Sequence, residues 1–128
     1  MIDIRKIKPS FTDDRGDITK IIDEGVALYS VLIITCKKGA IRANHYHKED
    51  SHYSYMLSGE MEYTEMPMHK PGAKKETATL VPGDLVYTKP NFAHAMRFTQ
   101  DSVFLAIATK PRSHDQYEAD TVRIKLIE

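Results

Sequence analysis

The stretch Gly39-Ala40-Ile41-Arg42-Ala43-Asn44-His45-Tyr46-His47-Lys48-Glu49-Asp50-Ser51-His52-Tyr53-Ser54-Tyr55-Met56-Leu57-Ser58-Gly59 decides how the chain is read. His45 and His47 flank a single residue. On a strand, residues two apart share a face, about 6 to 7 Å apart along the chain, so both imidazoles point the same way. Lys48 to Ser51 then leave room for a reversal that brings the next strand alongside and turns His52 toward that face. His94 follows the turn-like Lys89-Pro90-Asn91 and opens His94-Ala-Met-Arg-Phe98, so a sheet folded on itself sets it opposite the first pair.

Outward from this stretch, Gly and Pro punctuate the chain at Arg15-Gly16, Glu24-Gly25, Lys38-Gly39, Ser58-Gly59, Pro71-Gly72 and Pro82-Gly83. The segments between them are short and rich in β-branched and aromatic residues. Strands are predicted over 17–22, 27–35, 53–57, 61–66, 77–81, 85–88, 93–98 and 103–109, and so many short strands predict an all-β sandwich or barrel. Both ends, Ile2-Ile4 and Thr121-Ile127, also alternate and read as further strands with one solvated face. Such edges either pair with a second copy, giving a homodimer, or protect themselves with charge. The polar interruption from Pro67 to Glu76 reads as a hairpin loop. The segment from Pro111 to Ala119 is polar and offers no amphipathic helix.

The chain has 128 residues, 41% of them hydrophobic, which suits one domain over 1–128 burying roughly two thirds of its unfolded surface. Eighteen Lys and Arg balance eighteen Asp and Glu. Without a basic run, nucleic-acid binding loses its electrostatic basis. The longest apolar stretch, Val31 to Ile34, is far too short for a membrane span, and Met1-Ile-Asp-Ile-Arg-Lys lacks the apolar core of a signal peptide. A cytoplasmic location is expected. The single Cys36 excludes an intrachain disulfide and a cysteine-based zinc cluster, and reads as a small buried residue.

Three or four converging neutral imidazoles hold a divalent transition metal and leave coordination positions open. Without metal, the same residues read as hydrogen-bonded barrel histidines or as acid-base groups, because imidazole titrates near neutrality. Glu49 and Asp50 read as solvated turn residues, His69 and His114 as surface residues, and Tyr53, Tyr55 and Tyr63 mainly as cross-strand aromatic packing.

The spacing resembles the cupin superfamily of small β-barrels. Its first motif corresponds to Gly39, His45, His47, His52 and Gly59, and its second to Gly83, Lys89-Pro90-Asn91 and His94, with Lys89 at the family's Pro position, placing the motifs at about 39–59 and 83–98. His52 stands where the family carries a Glu ligand, and Asn91 stands at a Gly position, where Asn tolerates positive φ. The resemblance implies a jelly-roll barrel with a metal site formed by His45, His47, His52 and His94, holding zinc, iron, nickel or manganese. A finer resemblance joins Phe11 to Lys20 and Arg42-Ala-Asn-His45-Tyr-His47-Lys48 to cupins that isomerise or epimerise nucleotide-linked deoxysugars. There the positions of His45 and His47 move protons without a metal, and Arg42 helps hold nucleotide or phosphate.

Two arrangements are therefore expected for a keto-sugar ligand. In one, the metal polarises the carbonyl while an off-metal group, Tyr55 or Lys20, moves the proton. In the other, His45 or His47 is the base. Lys20 is also expected to bind substrate. An iron-dependent dioxygenase and a non-catalytic sugar- or metal-binding module are the alternatives.

Overall fold

The computed structural model describes residues 1–128. Its strands are β1 (Asp3–Lys6), β2 (Phe11–Asp13), β3 (Gly16–Ile18), β4 (Ser30–Cys36), β5 (Ile41–His47), β6 (His52–Ser58), β7 (Met61–Pro67), β8 (Glu76–Leu80), β9 (Asp84–Thr88), β10 (Phe92–Phe98), β11 (Ser102–Ala108) and β12 (Thr121–Arg123). One short helix, α1 (His114–Asp120), precedes the last strand. Two five-stranded antiparallel sheets, ordered β1-β9-β6-β11-β4 and β12-β5-β10-β7-β8, pack face to face, with β2-β3 as a separate hairpin. This is the all-β architecture expected from the punctuated sequence and the jelly roll that the cupin resemblance implies.

The turn chemistry explains why the strands end where they do. Gly59 has φ +84, and a Cβ there would sit 2.1 Å from Ser102 Oγ and 2.5 Å from Asp101 O, so only glycine closes the β6-β7 turn. Asn91 adopts φ 63, as expected of the residue at its motif position, and its N–H donates to His47 O at 2.7 Å. That bond ties the β9-β10 turn to the end of β5.

The interior is graded. Met56, Met61, Leu80, Val86, Met96, Phe98 and Phe104 form the apolar cluster between the sheets. Farther along the same inward faces, the residues become His52, Thr88, Glu65 and His94, all buried. Outside, Tyr53, Leu85 and Ile107 are covered by Ile21, Ile22 and Val26, while Ala93 and Ala95 admit the C-terminal Ile124, Leu126 and Ile127.

Three expectations change. β3 ends at Ile18 rather than continuing to residue 22, because Ile21 and Ile22 leave the hairpin to pack on the outer cluster. β12 ends at Arg123, since Asn44 captures the tail through Leu126 N–H and Ile127 N–H at 3.1 and 3.0 Å. The polar segment 111–119 leads into a helix after all, α1, which ends at Asp120 and buries none of its residues. The terminal strands β1 and β12 are sheet edges as expected, with β4 and β8 at the other two. No helix is long and apolar enough to cross a membrane.

Candidate functional site

The four motif histidines meet at one end of the barrel. β5 supplies His45 and His47, β6 supplies His52 and β10 supplies His94, which lies opposite His45 in register. Ring centroids are 4.6 Å apart for His45–His47, 4.8 Å for His45–His94, 5.0 Å for His52–His94 and 5.7 Å for His47–His52. All four are buried.

A bulge sets which residues join them. Arg42 and His45 are three apart, so a regular strand would put them on opposite faces. Ala43 and Asn44 take φ 69 and 55, and the β5-β10 register slips there. The extra residue brings Arg42 to the side of His45. Arg42 lines the cavity, with Nε donating to Cys36 Sγ at 3.1 Å and Nη2 to Thr35 O at 3.0 Å.

Hydrogen bonds fix two ring tautomers. His94 Nδ1–H donates to Phe92 O at 3.0 Å, since a carbonyl only accepts. Thr121 donates its one hydroxyl proton to Tyr117 O at 2.5 Å, so its Oγ1 accepts from His47 Nδ1–H at 3.3 Å. Both rings keep a bare Nε2, and His47 Nε2 is buried with no protein partner, as are Nδ1 of His45 and of His52. Three atoms offered by His45, His47 and His94 lie within 4.8 Å of one another, and His47, Asp50 and His52 form a second such group.

Burial holds the imidazoles neutral. It pushes His45 down to about 2, with the neighbouring His94 and His47 adding to the effect. His47 and His94 fall to about 4, again chiefly through burial, and His52 falls well below its ordinary value for the same reason. Neutral rings with bare nitrogens are metal ligands and proton acceptors alike.

The cavity measures about 140 Å³ and is walled by the four histidines with Arg42, Ser54, Met96, Phe104, Arg112 and Tyr117 among others. A recess of about 480 Å³ adjoins it and shares His47 and Tyr117. The Tyr117 ring lies 5.3 Å from His47 and 6.0 Å from His45. Arg112 stacks on Tyr117 at 5.0 Å and pairs with Asp50 at 3.0 Å.

Two expected site residues lie elsewhere. Tyr55 alternates with inward His52, Ser54 and Met56, so it faces outward and packs against the cluster of Tyr53, Leu85 and Ile107. Lys20 is exposed, pairs with Asp23 at 3.1 Å and lines a surface groove with Ile21, Ile22 and Leu28. Neither reaches the histidines. Asp50 is also not a solvated turn residue: it is 3% exposed, whereas Glu49 remains exposed. Arg112, Tyr117 and Ser54 were not anticipated. Ser54 shares the parity of His52, a readable signal, but only the tertiary path of 109–121 across the barrel end reveals the other two.

A family model described as the cupin domain matches residues 32–109. No curated protein matches. Among solved structures, a doubly substituted 3,4-ketoisomerase from Thermoanaerobacterium thermosaccharolyticum in complex with TDP is 26% identical, with a TM-score of 0.76, 95% of this chain and 86% of that chain covered. A 3,4-ketoisomerase from Helicobacter canadensis is 19% identical, with a TM-score of 0.76 and coverage of 95% and 90%. A dTDP-4-dehydrorhamnose 3,5-epimerase from Sulfolobus tokodaii is 18% identical, with a TM-score of 0.76 and coverage of 99% and 80%. The last two share the fold.

Proposed function

We propose that the chain, which belongs to the cupin domain family, is an isomerase or epimerase that moves a proton beside the carbonyl of a nucleotide-linked keto sugar. The carrying observation is the set of four buried imidazoles around one cavity, with bare Nε2 atoms on His47 and His94. The likeness to a 3,4-ketoisomerase solved with TDP supports the substrate class.

The C–H bond beside a ketone yields its proton when a base is within hydrogen-bond reach and the resulting enediolate oxygen is stabilised. His47 Nε2 accepts that proton. The cation so formed keeps its Nδ1–H bond to Thr121 and gains from the Asp120 carboxylate 3.9 Å away. Return of the proton to the former carbonyl carbon, with the adjacent hydroxyl's proton passing to the former carbonyl oxygen, shifts the carbonyl to the neighbouring carbon, and return to the original carbon from its opposite face inverts that centre. Arg42, partly exposed at the cavity edge, holds the anionic nucleotide end with its planar fork.

A divalent transition metal such as zinc, iron, nickel or manganese fits this donor set, because three buried ring nitrogens lack protein partners and the His45, His47 and His94 atoms lie within bridging distance. His45, His47, His52 and His94 would hold it, and it would supply Lewis-acid polarisation of the carbonyl. Were His47 engaged as a metal ligand, the cavity-lining phenol of Tyr117, in place of the outward-facing Tyr55, would be the group left to carry the proton.

The exposed outer residues Val31 and Ile33 on edge strand β4, 67% and 70% accessible, support a homodimer in solution. The function is tested by incubating the protein, metal-loaded and chelator-treated, with TDP-4-keto-6-deoxyglucose, the ligand of a related 3,4-ketoisomerase structure. NMR is expected to show carbonyl migration or inversion with one of the two preparations and none with His47→Ala. No new sugar signal with either preparation would overturn the proposal.

A further inference from the structure

Two hydrogen-bond donors on the cavity wall have no use in the chemistry so far. Arg112 lines the cavity with its side chain 17% exposed, and its Nε–H is buried without a partner. Ser54 lines the same cavity, is fully buried, and its Oγ has no partner. An Arg Nε–H can only donate, and a buried donor left unmade costs about 1–3 kcal/mol.

Neither finds a protein acceptor. No carboxylate lines the cavity, whose charged residues are Arg42 and Arg112. Asp50 stays behind the wall and uses its oxygens on Arg112 at 3.0 Å and on the Thr109 N–H and hydroxyl at 3.2 Å. Those contacts and the Tyr117 ring hold the guanidinium in place. Donors and acceptors therefore line one cavity together, Ser54 next to His52 on β6 and Arg112 held by Asp50 beside it. Imidazole nitrogens are its acceptors, whereas Arg112 Nε–H and the Ser54 hydroxyl are its donors.

We infer that Arg112 and Ser54, which line the cavity on the His52 side, form an oxyanion-binding subsite that receives the negatively charged oxygen of the ligand. Its ligand class is a small oxyanion: the enolate oxygen of a deprotonated ketone, or a carboxylate of similar size. The enolate version rests on the isomerase reading, because it places charge on the carbonyl oxygen as His47 takes the carbon-bound proton. No bond forms to Arg112 or Ser54, and the charge is neutralised when the proton returns. Arg42, committed to Cys36 and Thr35 at the edge, holds the distant anionic end instead.

The test uses sodium formate as the probe, titrated into metal-free full-length protein at constant ionic strength. The Arg112 Nε–H signal in a proton–nitrogen spectrum, identified by its loss in Arg112→Lys, is followed alongside binding heat. A saturable shift is expected. Ser54→Ala, which removes one donor and strands no partner, is expected to weaken formate at least about fivefold, the equivalent of one hydrogen bond. Arg112→Lys keeps a cation beside Asp50 and is expected to weaken it further. An unmoved Nε–H signal, or parent-like affinity in Ser54→Ala, would overturn the inference. Formate binding through both residues in a protein that turns over no keto sugar would retire the isomerase reading and leave the oxyanion subsite standing.

Discussion

The two ends of the barrel interior are built by the same strands and differ in what those strands turn inward. β6 runs His52, Ser54, Met56; β10 runs His94, Met96, Phe98; β7 runs back from Glu65 through Tyr63 to Met61. At the Phe98 end, large apolar side chains exclude water and supply the stability. At the His94 end, ring nitrogens, the Ser54 hydroxyl and the Arg112 Nε–H are buried without protein partners, which lowers stability and leaves groups free to act on a ligand. The apolar end offsets the strain of the polar end, and the period of two along each strand keeps both on one face.

Substitutions at the two ends should therefore separate stability from binding. The largest effect is expected for Phe98→Ala, which empties a fully buried site and should cost about 3–5 kcal/mol of unfolding free energy in denaturant, with zinc or nickel affinity unchanged. Weakened metal binding would mean that the ends are coupled. His45→Ala should do the reverse. Metal affinity measured by competition with a chelator falls at least about a hundredfold, equal to about 2.7 kcal/mol, while metal-free stability changes by under about 1 kcal/mol.

Acidification sharpens the contrast. His47 and His94 titrate at about 4 in the folded protein against 6.5 ordinarily. As pH falls below 6.5, the unfolded chain takes up protons first, so stability present above that pH is lost down to about 4. Each of the two should contribute a slope of roughly 1 kcal/mol per pH unit in metal-free protein. Phe98→Ala should lower the whole curve without changing its slope. The smallest effect concerns the bulge. Ala43 holds φ 69, which disfavours any side chain, so Ala43→Gly should stabilise by about 0.5–1 kcal/mol in thermal unfolding. A loss of stability would show that the Ala43 methyl contributes more packing than strain.

Much of this was legible in the chain itself. Short β-rich segments between Gly and Pro gave the strands, and the positions of His45, His47, His52 and His94 pointed to one shared face. Asn91 at positive φ followed from its residue type. Tyr55 was misplaced although parity was available: with His52 inward, residue 55 must face out. Arg42 needed the opposite lesson, since only the bulge at Ala43-Asn44 restores its side. Arg112 and Tyr117 depend on how 109–121 crosses the barrel end, a long-range arrangement that no local pattern encodes. Asp50 was missed for the same reason, because its buried partners Arg112 and Thr109 lie far along the chain.

The central claim is that the histidine end removes a proton beside a sugar ketone. Its most direct measurement is deuterium exchange: TDP-4-keto-6-deoxyglucose is incubated with the protein in deuterium oxide and the carbon beside the carbonyl is followed by NMR and mass. The account predicts incorporation of one deuterium at that carbon, faster than the background exchange, and its loss in His47→Ala. Exchange no faster than background with the parent protein, whether metal-loaded or chelator-treated, would contradict it.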